Sequence, residues 1–187
     1  MAVSIHIAEY DPAWQARFAE EAALLSDCLS ALSPRIEHIG STAVKGLGGK
    51  PIIDILVGCP GDGALDEVVP ALLSAGYCYY ACYEDRFKDR RFFARLSNHS
   101  AQAFPDVEQL PDRTAHPPTH HVHVVAYDSV FWKRHLAFRD YLRQHPIARD
   151  SYFRMKVKLA KGVWESHNDY AKAKGEFIRR IERLAAL

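Results

Sequence analysis

A single carboxylate, Asp54, interrupts the apolar run from Ile52 to Val57. The β-branched content of that run favours a strand. An ionised carboxylate flanked by isoleucines is costly to bury unless a metal ion, hydrogen bonds or a counter-charge compensates it. The fold must therefore bring such a partner to Asp54. Upstream, Ile36 to Ile39 reads as a second short strand that ends at Gly40-Ser41-Thr42. Glycine permits the tight turn and a close approach of ligand to backbone, which leaves amides and two hydroxyls free to hold an anion. A phosphate cradle of Gly40, Ser41 and Thr42 beside a metal-binding Asp54 is the functional expectation. An Asp54 that caps a turn or pairs with a nearby Lys or Arg is the plain alternative.

The rest of the chain follows an α+β order. Asp11 and Pro12 open a helix on which Trp14, Phe18, Leu25, Leu29 and Leu32 recur at helical spacing. After the two strands, Gly61 to Ser74 predicts a helix closed by Gly76. Tyr77 to Tyr83 and Arg91 to Leu96 predict a hairpin, and His120 to Ala126 a last strand. Residues 98–118, with prolines at 105, 111, 117 and 118, form a loop long enough to lid a site. Three helices follow, at about Val130 to His145, Asp150 to Gly162 and His167 to Leu184. The whole reads as a single domain, 1–187, with a sheet core at about 33–127 and C-terminal helices at about 129–185.

Those helices turn cations inward. On the last, Lys174 falls amid Tyr170, Phe177, Ile178, Ile181 and Leu184. On the preceding one, Lys156 falls amid Tyr152, Phe153 and Leu159, and on the first Arg139 and Arg143 lie between Trp132, Leu136, Phe138 and Leu142. A long cation can snorkel out of such a face, but four such placements point to a shared anion, with the arginine pair gripping a triphosphate in bidentate fashion. Lys50, at the end of the glycine-rich stretch, joins the phosphate-binding candidates, although Pro51 follows it where a P-loop needs Ser or Thr. His121 and His123 alternate on one face of their strand while His120 faces the other. They can serve a metal or a phosphate, or simply hydrogen-bond within the sheet.

The string Ile36-Glu37-His38-Ile39-Gly40-Ser41-Thr42-Ala43-Val44, followed by Gly49-Lys50-Pro51-Ile52-Ile53-Asp54-Ile55, resembles the GrpB family. The resemblance extends from Tyr10-Asp11-Pro12-Ala13-Trp14 through Thr119 to Val125 and Phe138 to Arg143, to Tyr170, Lys174, Phe177 and Ile178. Gly40-Ser41 ahead of Asp54 is similar to the signature of the DNA polymerase β-like nucleotidyltransferase superfamily. The resemblance implies a mixed β-sheet of that type flanked by helices, a nucleoside triphosphate as ligand or substrate, and transfer of a nucleotidyl group to an acceptor. Gly40, Ser41 and Thr42 would then hold the phosphates. Lys156, Lys174, Arg139 and Arg143 would neutralise charge as pyrophosphate leaves.

One departure bears on catalysis. Active members of the superfamily carry two carboxylates one residue apart to hold two magnesium ions, and here the second position is Leu56. If the His121 strand lies beside the Asp54 strand, as the implied sheet suggests, His121 or His123 can substitute around the metal. A mixed Asp and His shell would favour manganese, zinc or iron over magnesium. Lys45 stands where relatives often show proline. The competing expectations are a non-catalytic nucleotide or coenzyme-binding module, and a metal-dependent phosphohydrolase.

Composition narrows the field further. With 48% hydrophobic residues over 187 positions the chain can bury a full core. Lys plus Arg total 24 against 23 Asp plus Glu, so no global basic field advertises nucleic acid. No apolar run approaches a membrane span, and a cytoplasmic protein is expected. Four cysteines lack zinc-type pairing and are expected as reduced thiols. The alternating histidines stop at Val125, short of a histidine triad, and no G-x-S-x-G elbow is present.

Overall fold

The computed structural model describes residues 3–185. Helix α1 spans Ala13–Cys28 and strand β1 Arg35–Ile39, followed by β2 at Ile53–Cys59, α2 at Val68–Ser74, β3 at Cys78–Tyr79, β4 at Arg90–Leu96 and β5 at Pro118–Ala126. The C-terminal helices are α3 Val130–Gln144, α4 Pro146–Ala160, α5 His167–Ala173 and α6 Gly175–Leu184. The strands form one mixed sheet in the order β1-β2-β5-β4-β3. Only the central pair, β2 with β5, is parallel.

Strand register assigns the side chains to two faces. Ile53, Ile55 and Val57 of β2 join Val122 and Val124 of β5 and Phe93 of β4 on one face, where Trp14 and Leu25 of α1 and Val68 and Leu72 of α2 bury them. On the other face Ile39, Leu56 and Val125 pack under Trp132 of α3. Leu56 is fully buried there. The position that would carry a second carboxylate is thus a core contact beneath α3.

The connection between β1 and β2 crosses to the C-terminal helices, where Val44 and Leu47 pack against Leu142 of α3 and Tyr152 of α4. This layer brings Lys156, more than 100 residues downstream, to Ser41 at the end of β1, and Lys174 within electrostatic reach of Asp54.

Several local expectations are corrected. The stretch read as one helix from Gly61 is a 3-10 turn at Asp62–Leu65 followed by α2. The strand expected over Tyr77 to Tyr83 is two residues long and gives way to a 3-10 turn at Ala81–Tyr83. Residues 98–118 are not free of structure. Phe104 is buried, its amide donates to the Tyr79 carbonyl, and the Tyr79 amide donates to the carbonyl of Gln102. The start of the loop thereby covers the edge of β3, as an exposed edge requires. The final helix is broken between Ala173 and Gly175, and Lys174 sits at the break. All four cysteines are free thiols. No helix among the described residues is long and apolar enough to cross a membrane.

Trp14 is 1% exposed in the larger core cluster, with Tyr10 edge-on at 5.8 Å. Replacing it with Ala leaves a cavity that neighbours only partly fill. Trp14→Ala is expected to lower unfolding free energy by about 3–5 kcal/mol, read from urea denaturation.

Candidate functional site

Strand β1 ends at Ile39, and Gly40 turns the chain with φ 71°. A Cβ on Gly40 would lie 2.4 Å from Oδ2 of Asp54. Glycine is therefore required twice over, for the backbone angle and for the carboxylate resting against it. Ser41–Ala43 then form one 3-10 turn.

Asp54 lies opposite His121 in the parallel β2–β5 ladder, and its Oδ1 is 3.0 Å from His121 Nδ1. The Asp54 side chain is 32% exposed, so it opens onto solvent at the end of an otherwise buried strand. Burial works to raise its pKa. The hydrogen bond and charge of His121, with His123 and Lys174, overcome this and hold the carboxyl below the usual carboxylate range. Asp54 is ionised at neutral pH, and the compensation demanded by its apolar strand is met by a histidine.

Around this carboxylate stand three lysines. Lys156 of α4 is 2% exposed; its Nζ donates to Ser41 Oγ at 2.7 Å and to the Gly48 carbonyl. Gly49 admits this approach, since a Cβ there would lie 2.7 Å from Cβ of Ser41 and 3.4 Å from Lys156 Nζ. Burial, aided by Lys174 and opposed by Asp54, pushes the Lys156 ammonium down to about 7. Lys50 Nζ is 3.4 Å from His167 Nδ1. Burial, Lys174 and Arg113 push Lys50 down to about 8. Lys174 is lowered by burial, with Asp54 opposing. Both Lys50 and Lys174 place Nζ 4.9 Å from the centroid of the Tyr170 ring. Among the described residues none of these lysines has a carboxylate within salt-bridge distance.

The arrangement therefore unites Gly40, Ser41, Lys50, Asp54, His121, Lys156 and Lys174 from the sequence expectations and leaves four residues elsewhere. Thr42 is 1% exposed, and its hydroxyl bonds His38 Nε2 at 3.0 Å and the Ile52 carbonyl at 3.4 Å, so it fixes the turn from inside. Arg139 donates to Glu37, to both oxygens of Asp140 and to the His38 carbonyl. Arg143 donates to the Ala43 carbonyl and Asp140. With these bonds made, the arginine pair clamps α3 to the turn. His123 sits in an aromatic nest, 5.0 Å from Phe92 and 5.6 Å from Phe131 between ring centroids. Its Nδ1 is buried without a partner among the described residues, and burial holds its pKa well below the ordinary value.

A resident divalent ion does not fit this donor set. Asp54 Oδ1 and His121 Nδ1 face each other, His123 belongs to the nest, and the adjoining lysines repel a cation. Among the described residues no group of three or more His, Cys, Asp or Glu side chains could hold a metal. Three further residues stand at this site that the sequence does not single out as site candidates, Tyr170 reading there only as part of the apolar helix face. Arg113, from the 98–118 loop, places Nη2 3.4 Å from His121 Nε2. His167 opens α5 beside Lys50. Tyr170 is 1% exposed and, among the described residues, its hydroxyl has no hydrogen-bond partner. Lys45 is exposed and contributes its carbonyl to Arg149.

The unfolded chain keeps a lysine proton up to about 10.5, whereas folded Lys156 releases it near 7. Between those values the unfolded state binds more protons, so stability rises with pH across the window. Lys156→Met is expected to flatten that rise, with denaturant midpoints at about pH 6 and about pH 9 drawn closer than in the wild type.

Comparison with known proteins gives one consistent result. The family profile described as GrpB protein matches residues 4–184. A UPF0157 protein of Halalkalibacterium halodurans is 34% identical over 182 residues, covering 97% of this chain and 83% of that protein. The glutamate-rich protein GrpB of Alkalihalophilus pseudofirmus is 33% identical over 172 residues, covering 90% of this chain and 88% of that one. The crystal structure of conserved protein GrpB from Enterococcus faecalis superposes with a TM-score of 0.75 at 34% identity, covering 96% of each chain.

Proposed function

The chain belongs to the GrpB family, and we propose that it binds a phosphate-bearing small molecule, a nucleotide or nucleotide-containing coenzyme, at the cluster around Asp54. One observation carries this reading. Three half-buried or buried ammonium groups converge on a single carboxylate that is already hydrogen-bonded to a histidine, and no other acid among the described residues pairs with them. Folding leaves such like charges together only at a cost. An anion with several negative oxygens relieves it, and the Ser41 hydroxyl beside Lys156 adds a neutral polar contact.

The nucleotidyltransferase assignment has narrower support. A Gly-Ser turn after β1 and a carboxylate at the open end of β2 agree with that superfamily's signature, and a mixed sheet flanked by helices agrees with its fold type. Leu56 weighs against two-metal transfer: it is buried under Trp132, and among the described residues no group of three or more His, Cys, Asp or Glu side chains could hold a metal. A divalent cation would thus enter on the polyphosphate it accompanies. Binding is the function to test first, with nucleotidyl transfer the second reading.

Titration of ATP into wild type, Lys156→Met and Lys174→Met by calorimetry is the direct test. Loss of a charged hydrogen bond predicts about 10- to 100-fold weaker binding in each variant, with circular dichroism unchanged. Wild-type affinity is also expected to fall from about pH 7 to about pH 9, as Lys156 and then Lys50 lose their protons. Equal affinity in all three proteins overturns the reading.

A further inference from the structure

The Asp54–His121 pair fixes the protonation pattern of an imidazole through its neighbours alone. A carboxylate only accepts hydrogen bonds, so at 3.0 Å from Asp54 Oδ1 it is Nδ1 of His121 that carries the proton. A guanidinium only donates, so Nε2, 3.4 Å from Nη2 of Arg113, presents its lone pair. The ring is held in this attitude by the ladder that sets Asp54 beside His121 and by Phe92, whose centroid is 5.4 Å away. Among the described residues Nε2 of His121 meets no backbone carbonyl and has Arg113 as its polar neighbour. His120, next along the strand, shows the contrast: it is buried on the opposite face, and its Nδ1 is 2.9 Å from the Thr119 hydroxyl.

The lone pair lies in the company of the cationic cluster. Arg113, which touches it, also acts electrostatically on Lys50 and His167, and Lys174 acts on Lys50 and on Asp54. A phosphate held by those cations has its negative oxygens neutralised next to an oriented nitrogen. Thr42 is no rival for attack, because its hydroxyl faces inward to His38 and the Ile52 carbonyl. Geometry of this kind, a nucleophile oriented by a third group, marks covalent catalysis.

We propose that Nε2 of His121 is a nucleophile toward phosphorus, with Asp54 as its positioning residue, in a transfer that passes through a P–N-linked histidine. This rests on the reading of the cluster as a phosphate site. In the first step the Nε2 lone pair forms the P–N bond as the bond from phosphorus to the leaving oxygen breaks. That oxygen keeps the electron pair and takes a proton from the Lys50 ammonium. The imidazole becomes cationic and is stabilised by Asp54, which keeps its hydrogen bond to Nδ1. In the second step the oxygen of water or an acceptor alcohol attacks phosphorus, the P–N bond breaks, and the electron pair returns to Nε2. The proton of the attacking hydroxyl restores Lys50. Atoms and charge balance with no oxidant or resident metal. The role assigned to Asp54 differs from metal coordination: it orients a base-like nitrogen and offsets its charge.

The test incubates the purified full chain with ATP labelled at the α or the γ phosphate, followed by alkaline quench and peptide mass spectrometry. The expected result is one phosphoryl or one nucleotidyl group on His121, lost in mild acid and absent from His121→Gln. In Asp54→Asn the label is expected to fall by at least about 100-fold, because an amide can donate to Nδ1 and reverse the tautomer. Nitrogen-15 NMR of the histidines separates that effect from misfolding: wild-type His121 is expected with the proton on Nδ1, and Asp54→Asn with it on Nε2 in an otherwise unchanged spectrum. Thermal shift with ATP runs in parallel. A shift without label on His121, label on another residue, or a wild-type ring protonated on Nε2 overturns the nucleophile and leaves the binding site standing. Neither shift nor label overturns both.

Discussion

Lys156 is the contact on which the site's architecture depends. Its ammonium lies under the Ser41 hydroxyl and the Gly48 carbonyl, so a residue of α4 is bonded at once to both ends of the loop that joins β1 to β2. Gly49 leaves room for that contact, and Gly40 leaves room for Asp54 against the same turn. Were α4 to move away, the loop would lose one of its polar anchors. A buried charge without an acid partner is an expensive tie, which is why burial pushes Lys156 down to about 7 and why the anion-binding reading assigns it a ligand that would hold its proton in place.

A second polar clamp works alongside it. Arg139 spans Glu37 of β1, Asp140 of its own helix and the His38 carbonyl, and Arg143 holds the carbonyl of Ala43. These bonds fix the ends of the Ser41–Ala43 turn from the α3 side as Lys156 fixes it from α4. The division of labour follows from side-chain chemistry. A guanidinium with several donors in a plane suits multiple fixed acceptors, while lysines with no acid partner suit a ligand that comes and goes.

The sequence already contained the main elements of this site, because a carboxylate in an apolar strand and a glycine before a serine are local signals with local causes. The inward placement of Lys156 and Lys174 was also readable, since helical periodicity reports which face a side chain occupies. Periodicity does not report which neighbour waits on that face. Arg139 and Arg143 show the limit: Arg139 is buried as its spacing says and meets Glu37, Asp140 and the His38 carbonyl, whereas Arg143 is exposed and reaches back to the Ala43 carbonyl and Asp140. His121 and His123 share a strand face, yet lateral neighbours separate them, one beside Asp54 and the other beside Leu56, with Phe92 and Phe131 against its ring. Arg113, in a proline-rich loop, has no periodicity to read at all.

The linear chain by itself determined the α+β order, the strand around Asp54, the Gly40-Ser41 turn and the family resemblance, since each follows from near-neighbour sterics or from residues adjacent in the string. Only the tertiary structure decided that the partner of Asp54 is His121, that Leu56 is sealed beneath Trp132, and that Lys50, Lys156 and Lys174 meet around one carboxylate. Those facts depend on the parallel pairing of β2 with β5 and on the return of the C-terminal helices across the β1–β2 loop. Contacts between residues 67 to 117 positions apart are set by packing the whole core at once, and no local propensity encodes them.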